Sequence, residues 1–265
     1  MPRTAGDPPR DPAPGWPGRV LLGRVLAWFC ALVAAVPMFG LIDLGTVFGL
    51  SDPQYTWQVG VEASWGALFT FVIAAGFAQA GWTPTRAAQG VALPGLAAGS
   101  LAVAAAVFRD PAPLVVAGAL LVATVAVAWI LAARPQPRTR PSLSAALVVS
   151  AAGVPLWLGY AALTHAAWLR DPTVGDVTNG VDHWPVQAAL GLTLALGSAA
   201  LALRPGVRWW RWCFALSAGV LAYATLAFPD RAGAMPHPAW GWLFAVWALL
   251  ILLPPCPSAA RIPAR

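Results

Sequence analysis

The chain of 265 residues is 59% hydrophobic and only 10% charged, with a mean hydropathy of +0.68. Because this number of charges is too small to cover the surface of a soluble domain, the composition predicts an integral membrane protein in contact with the lipid bilayer. The net charge of +6 does not indicate a nucleic-acid partner, because the location of the arginines along the chain, described below, explains it, and no basic stretch interleaved with aromatic residues resembles a nucleic-acid footprint. The three cysteines form no CxxC pair and therefore predict neither a disulfide framework nor a zinc knuckle.

The predicted elements are helices. A helix needs about 20 apolar residues to cross roughly 30 Å of hydrocarbon, and the chain contains eight apolar runs of about this length. Residues 1–18 are rich in Pro, Gly and Arg and are expected to form a disordered cytoplasmic tail; residues 257–265 are expected to form a second one. We therefore predict an all-α fold, a polytopic membrane helix bundle with eight transmembrane helices. In chain order, the predicted spans lie near 24–43, 59–80, 88–108, 113–133, 143–165, 183–203, 211–228 and 239–254.

The arginines indicate the orientation, since cytoplasmic loops of membrane proteins carry an excess of basic residues. With the N-terminus inside, thirteen of the sixteen arginines lie on the cytoplasmic side, and only Arg109, Arg170 and Arg231 lie outside. Both termini are therefore expected in the cytoplasm, with the bundle in the inner or plasma membrane of the cell. Most of the acids and all three histidines then fall on the outer side: Asp43, Asp52, Glu62, Asp110, Asp171, Asp176, Asp182, Asp230, His165, His183 and His237.

An internal repeat is the most informative feature of the sequence. Residues 50–65 (LSDPQYTWQVGVEASW) and 169–184 (LRDPTVGDVTNGVDHW) have the same length, begin with Leu-x-Asp-Pro and end with Trp, at an offset of 119. Residues 96–110 (LAAGSLAVAAAVFRD) share eight of fifteen positions with residues 216–230 (LSAGVLAYATLAFPD), at an offset of 120. Matches in the same order at nearly one offset indicate a duplicated unit.

A third match supports this duplication. AVPMFG at 35–40 resembles GVPLWLG at 153–159 at an offset of 118 to 119. We therefore predict two tandem four-helix repeats, residues 19–134 and 135–256. Since four spans are an even number, the repeats share one orientation and are expected to be parallel, related by a pseudo-two-fold axis along the membrane normal, as in some transporter folds.

Acids at the outer ends of the helices are candidates for helix caps. Each of the four helices that start outside is expected to carry an acid at or just before its first turn: Glu62, Asp110, Asp182 and Asp230. An acid there caps free amide groups and complements the helix dipole, which contributes roughly 0.5–2 kcal/mol. Glu62, the only glutamate, is also expected near the membrane boundary on the face that adjoins the bundle, where an ionisable side chain is a functional hypothesis. Asp43, at the outer end of the first span, is expected to approach it.

We expect a binding site on the outer side, at the interface of the two repeats. His183 and Gln187 share a helix face at i, i+4 spacing, and Trp65 and Trp184 hold corresponding positions in the repeats. The spacing of the three histidines carries no ligand signature, so no metal and no cofactor are expected. GxSxG and HExxH motifs are absent from the sequence, and no catalytic residue is assigned. The predicted ligand-binding residues are Glu62, Asp43, Asp182, His183, Gln187, Trp65 and Trp184.

Three functions are compatible with these patterns. No acid, arginine or histidine falls at mid-bilayer in a predicted span, where ion coupling would require one. The first hypothesis is therefore a carrier or binding protein for a neutral, amphipathic or lipid-like small molecule. The second is an outward-facing membrane enzyme that uses Glu62 and Asp43 with the assistance of His183. The third is a structural partner of another membrane protein in a complex.

Overall fold

The computed structural model describes residues 17–49, 58–134, 144–172, 177–203 and 207–253. Residues 257–265, and all but the last two residues of the predicted tail 1–18, lie outside these ranges. The described part is nearly all-α, with one short antiparallel hairpin. Its elements are α1 (Pro17–Ala35), α2 (Gly40–Val47), α3 (Val59–Ala67), a π-helix (Leu68–Ala74), α4 (Ala75–Trp82), a 3-10 turn (Pro84–Arg86), α5 (Ala87–Phe108), α6 (Ala112–Ile130), α7 (Ala145–Arg170), β1 (Val177–Thr178), β2 (Val181–Asp182), α8 (His183–Leu203), α9 (Arg208–Ala227) and α10 (Ala239–Ile251).

Within the described ranges, six helical segments are long and apolar enough to cross a membrane. Several of them expose large apolar side chains, as α6 does with Val115 and Val122, which is compatible with helices that face lipid. The predicted spans near 211–228 and 239–254 correspond to α9, which does not meet both criteria, and to α10, which is apolar but shorter. Eight crossings therefore stay a prediction. The six segments are Gly18–Val47, Val59–Trp82, Pro84–Phe108, Ala112–Ile130, Ala145–Arg170 and His183–Leu203.

The first span is broken near the end that is predicted to be outer. After α1 the chain turns at residues 36–38, and Phe39 adopts the left-handed conformation (φ 59°) before α2 begins. Pro37 lies in this turn, where its ring and missing N–H disfavour a continuous helix. The carbonyl groups released by the break are satisfied: Asn179 Nδ2 donates to Pro37 O at 3.1 Å, and Trp65 Nε1 donates to Met38 O at 2.6 Å. Such partners are what a broken helix needs inside a bilayer.

The second span is continuous but irregular. Its central seven residues form the π-helix between α3 and α4. Segments of this kind are rare and occur frequently at functional sites. Further along, Gly76 of α4 and Gly90 of α5 allow two backbones to meet, because a Cβ on Gly76 would lie 2.8 Å from Gly90 O. The π-helix is thus held between a broken first span and a tightly packed third one.

The two halves of the described chain meet around α3 and α8. Within the first half α1 packs on the π-helix and α4, α2 on α3, and α5 on both α4 and α6. Within the second half α7 packs on α8, and α9 on α10. Across the halves α3 contacts α8 and α9, while α8 also contacts α5. The first-turn residues of α3 and α8 therefore lie where the two halves meet, on the side of the bundle that is predicted to be outer.

Three arginines donate hydrogen bonds to carbonyl groups at the C-terminal ends of α4, α6 and α10. Arg19 Nη2 donates to Trp129 O of α6 at 2.6 Å, and its guanidinium lies 5.4 Å from the Trp129 ring centroid. Arg24 Nε donates to Gly81 O of α4 at 3.0 Å, and Arg211 Nη1 donates to carbonyls at the end of α10. The last carbonyls of a helix lack partners within the helix and carry the negative end of its dipole. These three arginines therefore have a structural role on the side predicted to be cytoplasmic.

Candidate functional site

On the side predicted to be outer, the β-hairpin, the loop 228–238 and one end each of α2, α3, α7 and α8 surround a group of polar side chains, which we call the outer cluster. Its members are buried except for the half-buried Thr46 and Thr178: Asp43, Thr46, Glu62, Ser64, Tyr160, Thr178, His183 and Gln187. Trp65 packs against it. Four of the predicted site residues, Asp43, Glu62, His183 and Gln187, belong to this cluster.

Asp43 and Glu62 are both buried, each with 6% exposure. Thr46 connects their helices, because its hydroxyl lies 2.9 Å from Glu62 Oε2 and 2.7 Å from the backbone carbonyl of Asp43. A threonine hydroxyl carries one proton, so it donates to one of these oxygens at a time. Gly66 allows α2 to approach α3, since a Cβ there would lie 3.0 Å from Gly40 O. The close packing of these two helices thus encloses the carboxyl group of Glu62.

Trp65 and His183 join the two halves. Their rings stack at a centroid distance of 4.5 Å and an interplanar angle of 26°. On the same half as Trp65, Phe69 stacks on its ring at 4.8 Å. His183 Nε2 lies 2.8 Å from Thr178 Oγ1 of the hairpin, so the imidazole is held between a tryptophan face and a hydroxyl. A row of three rings, His183, Trp65 and Phe69, therefore leads from the outer cluster toward the middle of the bundle.

A second set of contacts closes the interface under the loop 228–238. Ser64 Oγ donates to Gly60 O at 2.9 Å and lies 2.7 Å from the Tyr160 hydroxyl, so Tyr160 donates to Ser64. Gln187 Nε2 donates to Gly233 O at 2.7 Å, and Gly60 N donates to the carbonyl of the residue before Gly233 at 3.1 Å. A Cβ on Gly60 would overlap the backbone of Gly233. The loop therefore lies directly on the first turns of α3 and α8.

Asp182 and Trp184 lie beside this cluster rather than in it. Asp182 Oδ1 accepts a hydrogen bond from Trp184 N at 3.0 Å, as a helix cap does. Burial raises the pKa of Asp182, the charge of Asp110 raises it further, and the backbone amides of Trp184 and His183 oppose the shift. Trp184 packs in a separate apolar cluster with Val61, Phe108, Ala161 and Ala188.

The predicted acidic caps are found at only some helix starts. Asp110 Oδ1 accepts a hydrogen bond from Ala112 N at 2.9 Å at the start of α6. The prediction for Asp230 was wrong, because α10 begins at Ala239, and His237 Nδ1 accepts the amide of that residue at 3.1 Å. The physical reason is the sequence MPHP at 235–238, since each proline disfavours helical backbone in the residue before it.

An apolar groove of about 360 Å³ lies between α1, the π-helix, α4 and α6. It meets the row of rings at Phe69, and it reaches Met38, next to the break in the first span. Pockets of this size with mainly apolar walls are typical of small-molecule sites. The residues that line it are Phe29, Cys30, Val33, Ala34, Met38, Phe69, Ile73, Phe77, Val115, Val116, Ala119, Leu120 and Ala123.

The other histidines are not part of the outer cluster. His165 packs against Phe108 and Trp168, while His237 caps α10. In the part of the chain that the structure describes, no three His, Cys, Asp or Glu side chains are arranged to hold a metal ion. No protein-family model, no curated protein sequence and no solved structure matches the chain.

Sequence reasoning missed Thr46, Ser64, Tyr160 and the role of Gly233. Their contribution depends on which helices cross, because each of them bonds to a residue on a different element. Hydroxyl groups in apolar runs carry little signal, since they also bond to the carbonyl four residues earlier, as Ser64 does. The groove was missed for a similar reason, because alanines that line a space read like alanines that pack against a neighbour.

Proposed function

We propose that the protein is a multi-pass membrane protein that binds and carries a neutral, amphipathic or lipid-like small molecule. The observation that supports this most is the apolar groove and its connection to the outer cluster through Phe69, Trp65 and His183. The apolar part of the ligand would occupy the groove, which is lined by apolar side chains alone. Its polar end would lie at the outer cluster, between the two repeats, where Glu62, Asp43, His183 and Gln187 provide hydrogen-bonding groups.

The proposed architecture is two parallel repeats, 19–134 and 135–256, with eight membrane crossings. We place the protein in the inner or plasma membrane of the cell, with both termini in the cytoplasm. Helix contacts support the repeats. The packing of α5 on α8 has its counterpart in that of α9 on α3, and the α5–α6 pair has its counterpart in α9–α10. The arginine caps of α4, α6 and α10 support a common cytoplasmic side.

Filling the groove tests the binding proposal. Ala123 is half-buried and lines the groove, so Ala123→Phe places a ring in the proposed site. Ala245→Phe is the matched control, because Ala245 is also half-buried and lines a different cavity, of about 320 Å³, between α9 and α10. The protein is reconstituted in vesicles, and the uptake of a fluorescent monoacylglycerol is measured.

We expect Ala123→Phe to lose uptake while Ala245→Phe keeps the wild-type rate, with similar thermal unfolding of the two variants. Equal uptake by both variants would contradict a site in the groove. Absence of uptake by the wild type, together with the loss in Ala123→Phe of a lipid that co-purifies with the wild type, would retain binding and remove the carrier role.

The enzyme hypothesis has one specific observation in its favour. Asp43 and Glu62 are both buried on packed helices, and the Thr46 hydroxyl lies within hydrogen-bond distance of the Glu62 carboxylate and of the Asp43 backbone carbonyl. Buried acids near a membrane boundary are candidates for acid–base chemistry. Under this alternative, Glu62→Gln would abolish a turnover of the bound molecule without changing its binding.

A further inference from the structure

We propose that Arg211, in the first turn of α9, binds the phosphate group of an anionic phospholipid. Its side chain is only 3% exposed. Nη1 donates hydrogen bonds to Ile251 O at 3.2 Å and to Leu253 O at 2.6 Å, at the end of α10. Nε and Nη2 are also buried and have no hydrogen-bond partner. One nitrogen of the guanidinium thus closes α10, and the other two are unused.

The two unused nitrogens have the geometry of an oxyanion site. Nε and Nη2 lie on one edge of the planar guanidinium, and their N–H groups point in the same direction. This edge forms two parallel hydrogen bonds with the oxygens of a phosphate or carboxylate. A buried cation that lacks such a partner is strongly unfavourable, so the site calls for an anion.

The described part of the chain does not supply that anion. Its acids are Asp43, Glu62, Asp110, Asp171, Asp182 and Asp230, and each lies in the outer cluster or next to the outer end of a helix. Arg211 lies at the opposite ends of the helices, with the exposed Arg208 in the same turn. Val207, at the N-cap of α9, makes no side-chain cap either, so amides of the first turn add positive potential.

Arg211 differs in this respect from the other two arginines that close helices. Arg19 and Arg24 are both exposed, whereas Arg211 is buried. The remaining N–H groups of Arg19 and Arg24 therefore reach water or headgroups freely. A phospholipid phosphate fits Arg211 because the inner ends of membrane helices lie at the depth of the headgroups. The edge is covered in the structure of the chain alone, so the bound phosphate displaces that cover.

The test compares full-length protein in vesicles of phosphatidylcholine alone with vesicles that also contain phosphatidylglycerol. Thermal unfolding and the phosphatidylglycerol retained after extraction, measured by native mass spectrometry, are the two readouts. Arg211→Lys keeps the charge that closes α10 but lacks the two-nitrogen edge. Arg208→Gln is the control for a change in charge, because Arg208 is exposed in the same turn.

We expect phosphatidylglycerol to raise the unfolding temperature of the wild type and of Arg208→Gln. We expect Arg211→Lys to fold and to retain about tenfold less phosphatidylglycerol, which is the effect of losing a hydrogen-bonded pair with a charged group. Inorganic phosphate added to protein in detergent distinguishes a free anion from a lipid, and stabilisation by phosphate alone would overturn the lipid as the source.

Two further outcomes would overturn the proposal. Equal retention of phosphatidylglycerol by the wild type and Arg211→Lys would remove Arg211 from the site. The second concerns Asp7 and Asp11, the acids of the sequence on the expected cytoplasmic side. Suppose that the double variant Asp7→Asn, Asp11→Asn has a lower unfolding temperature in phosphatidylcholine alone, and that phosphatidylglycerol does not change the unfolding temperature of the wild type. The anion that binds Arg211 would then belong to the chain itself.

Discussion

In each half of the molecule, the first and last helices of that half enclose a space. This space is open in the first half and filled in the second. Between α1 and α6 it contains the groove of about 360 Å³, lined in part by Ala34, Ala119 and Ala123. Between α7 and α10 it contains an aromatic cluster, which we define as Trp157, Tyr160, Trp240, Phe244 and Trp247. The proposed repeats thus use one architecture for two purposes. The second half gains packing, and the first half keeps a space that we propose as a ligand site.

Details of the aromatic cluster show how the second half closes this space. The Trp157 ring stacks on Phe244 at 4.8 Å, and Trp247 Nε1 donates to Val149 O at 3.0 Å. Gly153 makes room for Trp247, because a Cβ on Gly153 would lie 2.7 Å from the Trp247 ring. Large aromatic side chains carry much of the packing energy of a core. In the corresponding place of the first half the groove stays open, so the stability of that half is expected to depend less on packing between its first and last helices.

The largest expected effect comes from opening the filled half. Trp157→Ala removes a fully buried ring from the aromatic cluster and is expected to lower the free energy of unfolding by about 3–5 kcal/mol. The matched change in the open half is Phe29→Ala, since Phe29 lines the groove and is 61% exposed. We expect it to cost only about 0.5 kcal/mol. Unfolding titrations in one detergent measure both, and equal losses would contradict the comparison.

Substitutions of Glu62 test whether the part of the outer cluster in the first half takes part in ligand binding. Glu62→Ala removes the hydrogen bond between the Thr46 hydroxyl and Glu62 Oε2, while that hydroxyl can still donate to the Asp43 carbonyl, and the change is expected to cost about 1 kcal/mol. Glu62→Gln keeps a group that bonds to Thr46, so we expect nearly wild-type stability and unchanged binding of a neutral ligand. A large loss of binding in Glu62→Gln, at wild-type stability, would show that the ligand requires the carboxyl group.

The sequence predicted the helices well and their partners poorly. Long apolar runs locate helices because the bilayer demands their length. Pro37 and Pro155 hold corresponding positions in the two predicted repeats, but their effects on the helix differ. The chain breaks at Pro37, whereas α7 continues through Pro155. Asn179 and Trp65 supply the hydrogen bonds that make the first break acceptable, and both are distant in sequence. The pairing of Trp65 with His183 likewise depends on how α3 crosses α8, which no local pattern encodes.

Asn179→Ala sharpens the contrast between the two prolines. It removes the hydrogen bond to Pro37 O, and we expect a loss of about 0.5–1.5 kcal/mol in the free energy of unfolding. Because the bond exists only at the broken span, the same loss should vanish if Pro37→Ala allows α1 and α2 to join. A double-mutant cycle measures this coupling, and additive effects of the two changes would contradict it.

The smallest expected effect is the contribution of Asp182, just before α8, to the pH dependence of the free energy of unfolding. Since the pKa of Asp182 is raised in the folded protein, folding favours its protonated form. Its contribution to stability is therefore complete at pH values below the ordinary range of a carboxyl group and is lost as pH rises through the raised pKa. Asp182→Asn should flatten the curve of unfolding free energy against pH in that window. Identical curves for the wild type and Asp182→Asn would contradict the raised pKa of Asp182.

The most direct test of the account is to locate a bound neutral lipid by photolabelling. A monoacylglycerol with a diazirine in its acyl chain is incubated with the reconstituted protein, irradiated, and the labelled residues are identified by peptide mass spectrometry. We expect the labels to concentrate on the groove residues of α1, the π-helix and α6, and to be reduced by excess unlabelled monoacylglycerol. Labels spread evenly over the exposed apolar faces of α6, α9 and α10, with no competition, would contradict a binding site in the first half.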